Sequence, residues 1–317
     1  MKVLFVMDPI ESLNIAGDST YMLMLEANRR DWQTYWCTPN DLFAYTNQAY
    51  AKAELVTVQH TPPHFGRSEA KDISLAEFQV VWMRKDPPFN MDYIFTTYLL
   101  DLVPKTTLVF NHPESIRGCN EKMFALHFPD FSPKTLVTHE ITRARAWAEQ
   151  FEKVVIKPWD GNGGRGVLVT SKSDSNFRSM LEILTQEGKQ YILVQEYLPK
   201  IVEGDKRIIL VDGIPVGQIL RVPQPGDHRG NMHAGAKVQI AELTPREKEL
   251  CQALKPILQE KKLLFVGIDT IGDKLTEINV TSPTGIQEIN RLFGIQVEKQ
   301  ITDAVLCYYE RHVQTIV

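Results

Sequence analysis

The sequence predicts an α/β protein: a parallel α/β layer first, then a part built largely from paired strands. Three observations carry this. Lys2–Met7 (KVLFVM) is an unbroken apolar run, the mark of a strand buried on both faces, and Asp8-Pro9 ends it. Over roughly the first 115 residues such runs alternate with helical stretches, as parallel strands joined by crossovers do. Later strands are joined instead by glycine-bearing turns, in 157-KPWDGNGGRGV-167 and 269-DTIGDKLTE-277.

The elements follow in order. A helix is expected over Ser19–Arg30, with Met22, Met24 and Leu25 facing inward. Strands are expected at Gln33–Cys37, Leu55–His60, Val80–Arg84 and Thr107–Asn111, with a helix at Met91–Leu102 between the last two. Strands Val154–Lys157 and Gly166–Thr170 flank the glycines. A helix at Asn176–Gln186 and a strand at Tyr191–Glu196 come next. Lys206–Val211 turns at Asp212-Gly213 into a strand reaching Leu220. Arg221–Lys237 (RVPQPGDHRGNMHAGAK) has no period and reads as a lid or a disordered loop. Thr244-Pro245-Arg246-Glu247 supplies an N-cap, a proline at the first position and the acid of a capping box. A helix should run from there to about Lys262, kinked near Pro256. Leu263–Ile271 and Leu275–Val280 close on Gly272-Asp273, and Ser282-Pro283 is expected to open another helix.

The 317 residues are 43% hydrophobic and 23% charged, with a net charge of −4 and both signs scattered. This is enough chain for two or three packed units, and it offers no basic block for a nucleic acid or a membrane surface. Cys37, Cys119, Cys251 and Cys307 lie far apart with no C-x-x-C, which argues against a zinc site or a disulfide framework. The apolar start is too short for a signal peptide or a bilayer span, so a cytoplasmic protein is expected.

Gly161, Gly163 and Gly166 have the spacing G-x-G-x-x-G. A dinucleotide turn needs a helix after its glycines, so that pyrophosphate meets the helix N-terminus. Here VLVT follows, which reads as a strand, and no Gly-Lys-Ser/Thr completes a Walker loop. What remains is a hairpin loop holding Gly161, Gly163, Gly164 and Gly166. Its unshielded N–H groups can fold over phosphate oxygens, with the Lys157 ammonium beside them. A hairpin tip without a ligand fits the segment equally well.

The second constellation is 263-LLFVGIDTIGDKLTEINVTSP-283. A two-residue loop, Gly272-Asp273, pairs Asp269 with Thr276. A three-residue loop ending at Lys274 pairs Asp269 with Glu277 instead. The apolar pattern selects the second. It gathers Leu264, Val266, Ile268, Thr270, Thr276, Ile278 and Val280 on a core face and Asp269, Glu277 and Asn279 on the other. Two carboxylates and an amide oxygen on one patch suit a hard divalent cation, usually Mg²⁺ bridging nucleotide phosphates. The alternative is a solvated polar face, which strongly apolar neighbours disfavour. The helix opened by Ser282-Pro283 would add an anion site beside the cation, or simply be capped.

A phosphate loop on a hairpin, a later acidic strand and a polar loop between them resemble the ATP-grasp ligases. Seven segments narrow the resemblance to the bacterial glutathione synthetase family: VMDPI (6–10), MRKDPPF (83–89), CNEK (119–122), KPWDGNGG (157–164), GDKR (204–207), IPVGQ…RVPQ…RGN (214–231) and FVGIDTIGDKLTEINVTSPTGI (265–286). They span almost the whole chain in the family's order. The resemblance implies an N-terminal Rossmann-like domain over 1–119, a small ATP-grasp lobe over 120–198 and a C-terminal lobe over 199–317. It also implies ligation of γ-glutamylcysteine and glycine with ATP, through an acyl phosphate, with no covalent enzyme nucleophile.

Carried over by position, Lys122 and Lys157 reach the ATP phosphates, and Gly161, Asn162, Gly163, Gly164 and Gly166 cover them. Glu196, Tyr197 and Leu198 line the adenine site and Asp205 faces the ribose. Asp269, Glu277 and Asn279 hold Mg²⁺, for which Mn²⁺ can substitute. Arg207 and Arg221 stabilise charge on the transferring phosphoryl group. Arg84, Ser282 and Thr284 bind substrate carboxylates. The loop Arg221–Lys237 closes to exclude water from the acyl phosphate. The resemblance further implies a homotetramer. Cys119, His112, His127 and the scattered tryptophans read as packing residues. Other readings of the chain are a different ATP-grasp carboxylate–amine ligase, a non-catalytic nucleotide sensor of the same fold and a nicotinamide oxidoreductase.

Overall fold

Three sheets organise the chain, and a cleft lies between the second and the third. The computed structural model describes residues 1–161, 163–226, 230 and 235–316. The first sheet starts with β1 (Lys2–Val6), buried along its length after Lys2 because it has parallel neighbours on both sides. α1 (Ser19–Arg29) follows, capped by Asp18, whose carboxylate accepts the Tyr21 N–H at 2.6 Å. Its buried face carries Leu23, Met24 and Ala27, while Met22 and Leu25 are only half-buried. Next come β2 (Gln33–Cys37), β3 (Leu42–Tyr45), β4 (Gln48–Val58), β5 (Phe65–Arg67), β6 (Lys71–Ser74), β7 (Val80–Met83), α2 (Met91–Leu100), β8 (Leu108–Phe110) and α3 (Pro113–Gly118).

The strand order is β3-β4-β2-β1-β7-β8, with β5 and β6 also paired to β4. Strands β2, β1, β7 and β8 are the parallel layer read from the sequence. The antiparallel addition around β4 is not, and β4 begins well before the expected Leu55. Its first half buries Ala49, Ala51 and Ala53 against one core, and its second half turns Val56 and Val58 into another. Alanine carries little strand signal, and the change of face breaks the alternation.

The second sheet comprises β9 (Thr135–Thr138), β10 (Lys153–Pro158), β11 (Leu168–Ser171) and β12 (Ile192–Glu196), all antiparallel, in the order β11-β10-β12-β9. Its helices are α4 (Ile141–Ala148) and α5 (Phe177–Leu184). They bury Ala144, Ala148, Phe177 and Leu181 against Val154, Ile156, Ile192 and Val194. By strand alternation the opposite face carries Val155, Lys157 and Gln195.

The third sheet is β15-β14-β13-β16-β17, formed by β13 (Asp205–Val211), β14 (Ile214–Val222), β15 (Lys237–Gln239), β16 (Phe265–Ile271) and β17 (Lys274–Asn279). Asp212 and Gly213 turn β13 into β14 with φ of 50° and 73°, the backbone that a tight hairpin demands. A Cβ on Gly213 would lie 2.7 Å from the Lys255 Cα, so no side chain fits. α6 (Pro245–Glu260) opens with the expected capping box: Thr244 and Glu247 each bond the other's backbone N–H, at 3.1 and 2.8 Å. Pro256 lies inside it.

Two features of the C-terminal part differ from expectation. The helix placed at Ser282-Pro283 starts instead at Ile286, as α7 (Ile286–Phe293), after Gly285 at φ 118°. Arginines take the carbonyls ahead of it: Arg84 donates to Pro283 O at 2.9 Å and Arg207 to Thr284 O at 3.1 Å. Ser282 therefore lies outside the helix, and the expected anion-binding helix start does not exist there. The last helix, α8 (Val297–Ile316), was not read from the sequence. It buries Val297, Ile301 and Val305 in the core shared with α1, and Asp303 meets Arg30 at 2.6 Å. Among the described residues no helix is long and apolar enough to cross a membrane.

Candidate active site

The free face of the second sheet looks across a cleft at the third. Val155, Lys157, Gly164, Gln195, Glu196, Tyr197, Leu198, Asp205, Arg221, Asp269 and Glu277 all line it. Residues expected to meet adenine, ribose, phosphates and metal are thus gathered around one space. Tyr197 and Leu198 follow β12 directly, where Val155, Val169 and Ile201 give the cleft an apolar end. The Glu196 carboxylate turns to accept the Lys134 N–H at 2.9 Å.

The polar end is set by two lysines. Lys157, on β10, is 8% exposed and donates to the Gln195 amide oxygen at 3.0 Å. Burial pulls its pKa below the ordinary lysine value, against the pull of Glu277. Lys122 comes from the turn after α3 and is also buried. It donates to the Glu121 carboxylate and to the Gly161 carbonyl, and lies 3.6 Å from Glu277. Burial lowers its pKa, but Glu277 and Glu121 more than offset this and hold it above the usual value. Burial, then repulsion from Glu277, pushes the Glu121 carboxyl up to about 7.

Between β10 and β11 runs the glycine loop. Gly163, Gly164 and Gly166 have φ of 61°, 76° and 73°, and a Cβ on Gly161 would lie 2.8 Å from Arg165 O. Of these four glycines Gly164 lines the cleft. Gly161 reaches it through Lys122. Asn162 lies outside the described residues.

The hairpin β16–β17 pairs Asp269 with Glu277, as the apolar pattern requires, but by a different turn. Gly272-Asp273 is a two-residue turn, with Ile271 opposite Lys274 and Thr270 opposite Leu275. A bulge then inserts Thr276, whose hydroxyl donates to Asp269 O at 3.1 Å, and this restores the Asp269–Glu277 pair. The bulge also corrects the expected core face: Thr276, placed there by the sequence pattern, lines the cleft, and Leu275 takes its place in the core opposite Thr270.

Asp269 is the centre of a buried charge cluster. Arg207 grips it with two bonds, at 2.6 and 2.9 Å, and Arg221 reaches it at 3.1 Å. Arg221 also holds Asp205 through two bonds of 2.7 Å. Burial opposes ionisation of Asp269, but Arg207 and Arg221 outweigh it and hold the carboxyl well below the usual range. Asp205 is different: burial dominates over Arg221 and raises it. A Cβ on Gly230 would fall 2.4 Å from an Asp205 carboxylate oxygen, so the backbone there comes right up to this acid. The Asn279 amide donates to Asp269 at 3.2 Å.

These residues fit a divalent cation in part. Glu277 and Asn279 offer hard oxygen donors there, and Lys122 lies 3.6 Å from Glu277. Asp269 would have to give up an arginine, because each of its carboxylate oxygens already takes two donors. Among the described residues no group of three His, Cys, Asp or Glu is placed to hold a metal. Two carboxylates and an amide would leave positions for phosphate oxygens and water, as Mg²⁺ prefers.

Arg84, Ser282 and Thr284 are brought together at a different place, where the first and third sheets meet. Arg84 is 3% exposed, bonds Thr20 and the Pro283 carbonyl, and lies 4.9 Å from the Phe265 ring. Its Nη1 is buried with no hydrogen-bond partner. Ser282 and Thr284 flank Pro283 and are half-buried, and the Thr284 carbonyl accepts from Arg207. Asn111 ties the layers: its amide donates to Phe265 O and Val280 O, both at 2.7 Å. Of the loop 221–237, residues 227–229 and 231–234, with His228, Arg229 and His233, lie outside the described residues, while Arg221 and Lys237 belong to strands. Sequence reasoning missed Gln195, Thr276 and Glu121. Gln195 was open to it, as the polar residue within the apolar strand ILVQE.

Comparison with known proteins agrees with this geometry. Residues 1–117 match the family model of the prokaryotic glutathione synthetase N-terminal domain, and residues 121–294 that of its ATP-grasp domain. A glutathione synthetase of Agrobacterium fabrum is 43% identical over 305 residues, covering 96% of each chain. One of Synechococcus elongatus is 43% identical over 316 residues, 96% of this chain and 98% of that one. Among solved structures, an ATP-grasp ligase of Chryseobacterium gregarium superposes with a TM-score of 0.66 at 15% identity, over 97% of both chains. D-alanyl-alanine synthetase A of Vibrio cholerae does so with a TM-score of 0.62 at 12% identity, over 98% of both. Those two establish the fold alone, an ATP-grasp ligase fold. The family models and the curated relatives establish more: the chain belongs to the prokaryotic glutathione synthetases, which are ATP-dependent ligases.

Proposed function

We propose that the chain makes glutathione by joining γ-glutamylcysteine to glycine. ATP first phosphorylates the cysteinyl carboxylate, releasing ADP. The glycine amine then attacks the acyl phosphate, and phosphate leaves as the amide forms. The observation that supports this best is the gathering of Lys157, Gly164, Asp269 and Glu277 around one cleft with an apolar end, with Lys122 joining Glu277 to the Gly161 carbonyl.

Lys122 and Lys157 would meet the phosphates, with Gly161–Gly166 closing over them. Adenine would lie against Tyr197 and Leu198, beside Glu196, and the ribose near Asp205. A divalent ion, Mg²⁺ or Mn²⁺, held by Glu277, Asn279 and Asp269, would neutralise phosphate charge. Arg207 and Arg221, fixed by Asp269 and Asp205, are preorganised cations for charge that grows during transfer. Arg84 has a buried unpartnered donor, suited to a substrate carboxylate beside Ser282 and Thr284. The division into 1–119, 120–198 and 199–317, a homotetrameric assembly and a cytoplasmic location belong to the same reading.

Phosphate release should require ATP, γ-glutamylcysteine and glycine together, and stop when any one is omitted. Release with an unrelated acid and amine, but not with this pair, would assign the chain to another ligation.

A further inference from the structure

A second cavity lies far from these residues in kind. β8 is the end strand of the first sheet, and the later part of α8 runs past it. Between them, the loop before β8 and the residue after α6 enclose about 520 Å³. Small-molecule sites span about 300–1,000 Å³ and favour junctions between separately folded parts. Here the first sheet, Lys262 beyond the end of α6, and α8 all contribute to the wall.

Its lining is divided by chemistry. Val109, Phe110 and Tyr308 make an apolar floor, with the Phe110 and Tyr308 rings edge to face at 5.9 Å. Lys105, Lys262 and Arg311 belong to a cationic rim. The one carboxylate in the lining, Asp101, is already paired with Arg117 at 2.7 Å. Among the described residues neither Lys105 nor Lys262 has an ion-pair partner. The rim is nonetheless fixed: the His312 ring bonds the Lys105 carbonyl, and the His112 N–H donates to Lys262 O at 3.4 Å. Burial, and then the Lys262 charge, push the His112 pKa down.

We infer that this cavity is a second ligand site, for a small organic anion with a flat apolar body. The anionic group meets Lys105 and Lys262, and the ring lies on Val109 and Phe110. None of these residues lines the nucleotide cleft, so the inference is independent of the reaction proposed above.

The probe is 8-anilinonaphthalene-1-sulfonate, titrated by fluorescence into the full chain with ADP and Mg²⁺ saturating the nucleotide cleft. One probe per chain should bind. Lys105→Ala and Lys262→Asn should each weaken binding at least ten-fold, and both should keep the wild-type rate of phosphate release. Both lysines are exposed, and asparagine tolerates the φ of 52° at position 262. The uncharged N-phenyl-1-naphthylamine should bind at least ten-fold more weakly than the sulfonate. No binding, binding unchanged in both variants, or equal binding of the neutral probe would each overturn the assignment.

Discussion

Asp269→Asn should lose both fold stability and turnover. The carboxylate takes two bonds from Arg207 and one from Arg221 in a setting where all three side chains are nearly inaccessible. Asparagine keeps the shape and removes the charge. Arg221 would still have Asp205, but Arg207 would be left with the Thr284 carbonyl. Breaking a buried ion pair from one side costs about 3–5 kcal/mol, because the remaining charge is stranded. Urea denaturation should show a loss of that size. Turnover under conditions where the variant stays folded should fall by about 10²–10³, the usual effect of removing one preorganised electrostatic group. A denaturation midpoint equal to that of the wild type would mean that the arginines do not depend on this acid.

Glu277→Gln should separate the two effects. Glu277 shares the ribbon with Asp269 but is partly exposed, and among the described residues its carboxylate pairs with Lys122, at 3.6 Å. Lys122 keeps the Glu121 carboxylate and the Gly161 carbonyl when Glu277 is neutralised. The loss of one partly exposed pair is worth about 0–1 kcal/mol, so the melting temperature should hardly move. Phosphate release should nevertheless fall by about 10² or more, since a carboxylate facing the proposed metal and phosphates is gone. Wild-type turnover in this variant would remove Glu277 from the chemistry. A large fall in stability would mean instead that its charge is structural.

Much of the site could be read from the sequence because strand alternation binds chemistry to burial. Ile268 and Ile278 cannot face the core unless Asp269 and Glu277 face away, so the apolar pattern alone fixed the pairing. The route to it was not legible. A bulge at Thr276 with a two-residue turn keeps Asp269 opposite Glu277, as a three-residue turn does, but it puts Leu275 rather than Thr276 on the core face. The parallel core of the first sheet was legible in its long apolar runs. β4 was not, since Ala49, Ala51 and Ala53 mark a buried face only once a neighbour covers them. α8 had a readable pattern, Val297, Ile301 and Val305, but the stripe is narrow. The Ser282-Pro283 helix start failed for a tertiary reason, because Arg84 from β7's end and Arg207 from β13 claim the carbonyls there. Local capping rules do not contain that competition. The arginine–aspartate cluster was likewise beyond sequence spacing, as it joins residues 205, 207, 221 and 269 from three strands.

The most direct measurement is a crystal structure with a non-hydrolysable ATP analogue and Mn²⁺, located by anomalous scattering. Adenine should stack by Tyr197, the triphosphate should lie between Lys122 and Lys157 beneath residues 161–166, and the manganese peak should adjoin Glu277. A nucleotide bound anywhere else, or manganese remote from that carboxylate, would contradict the account at its centre.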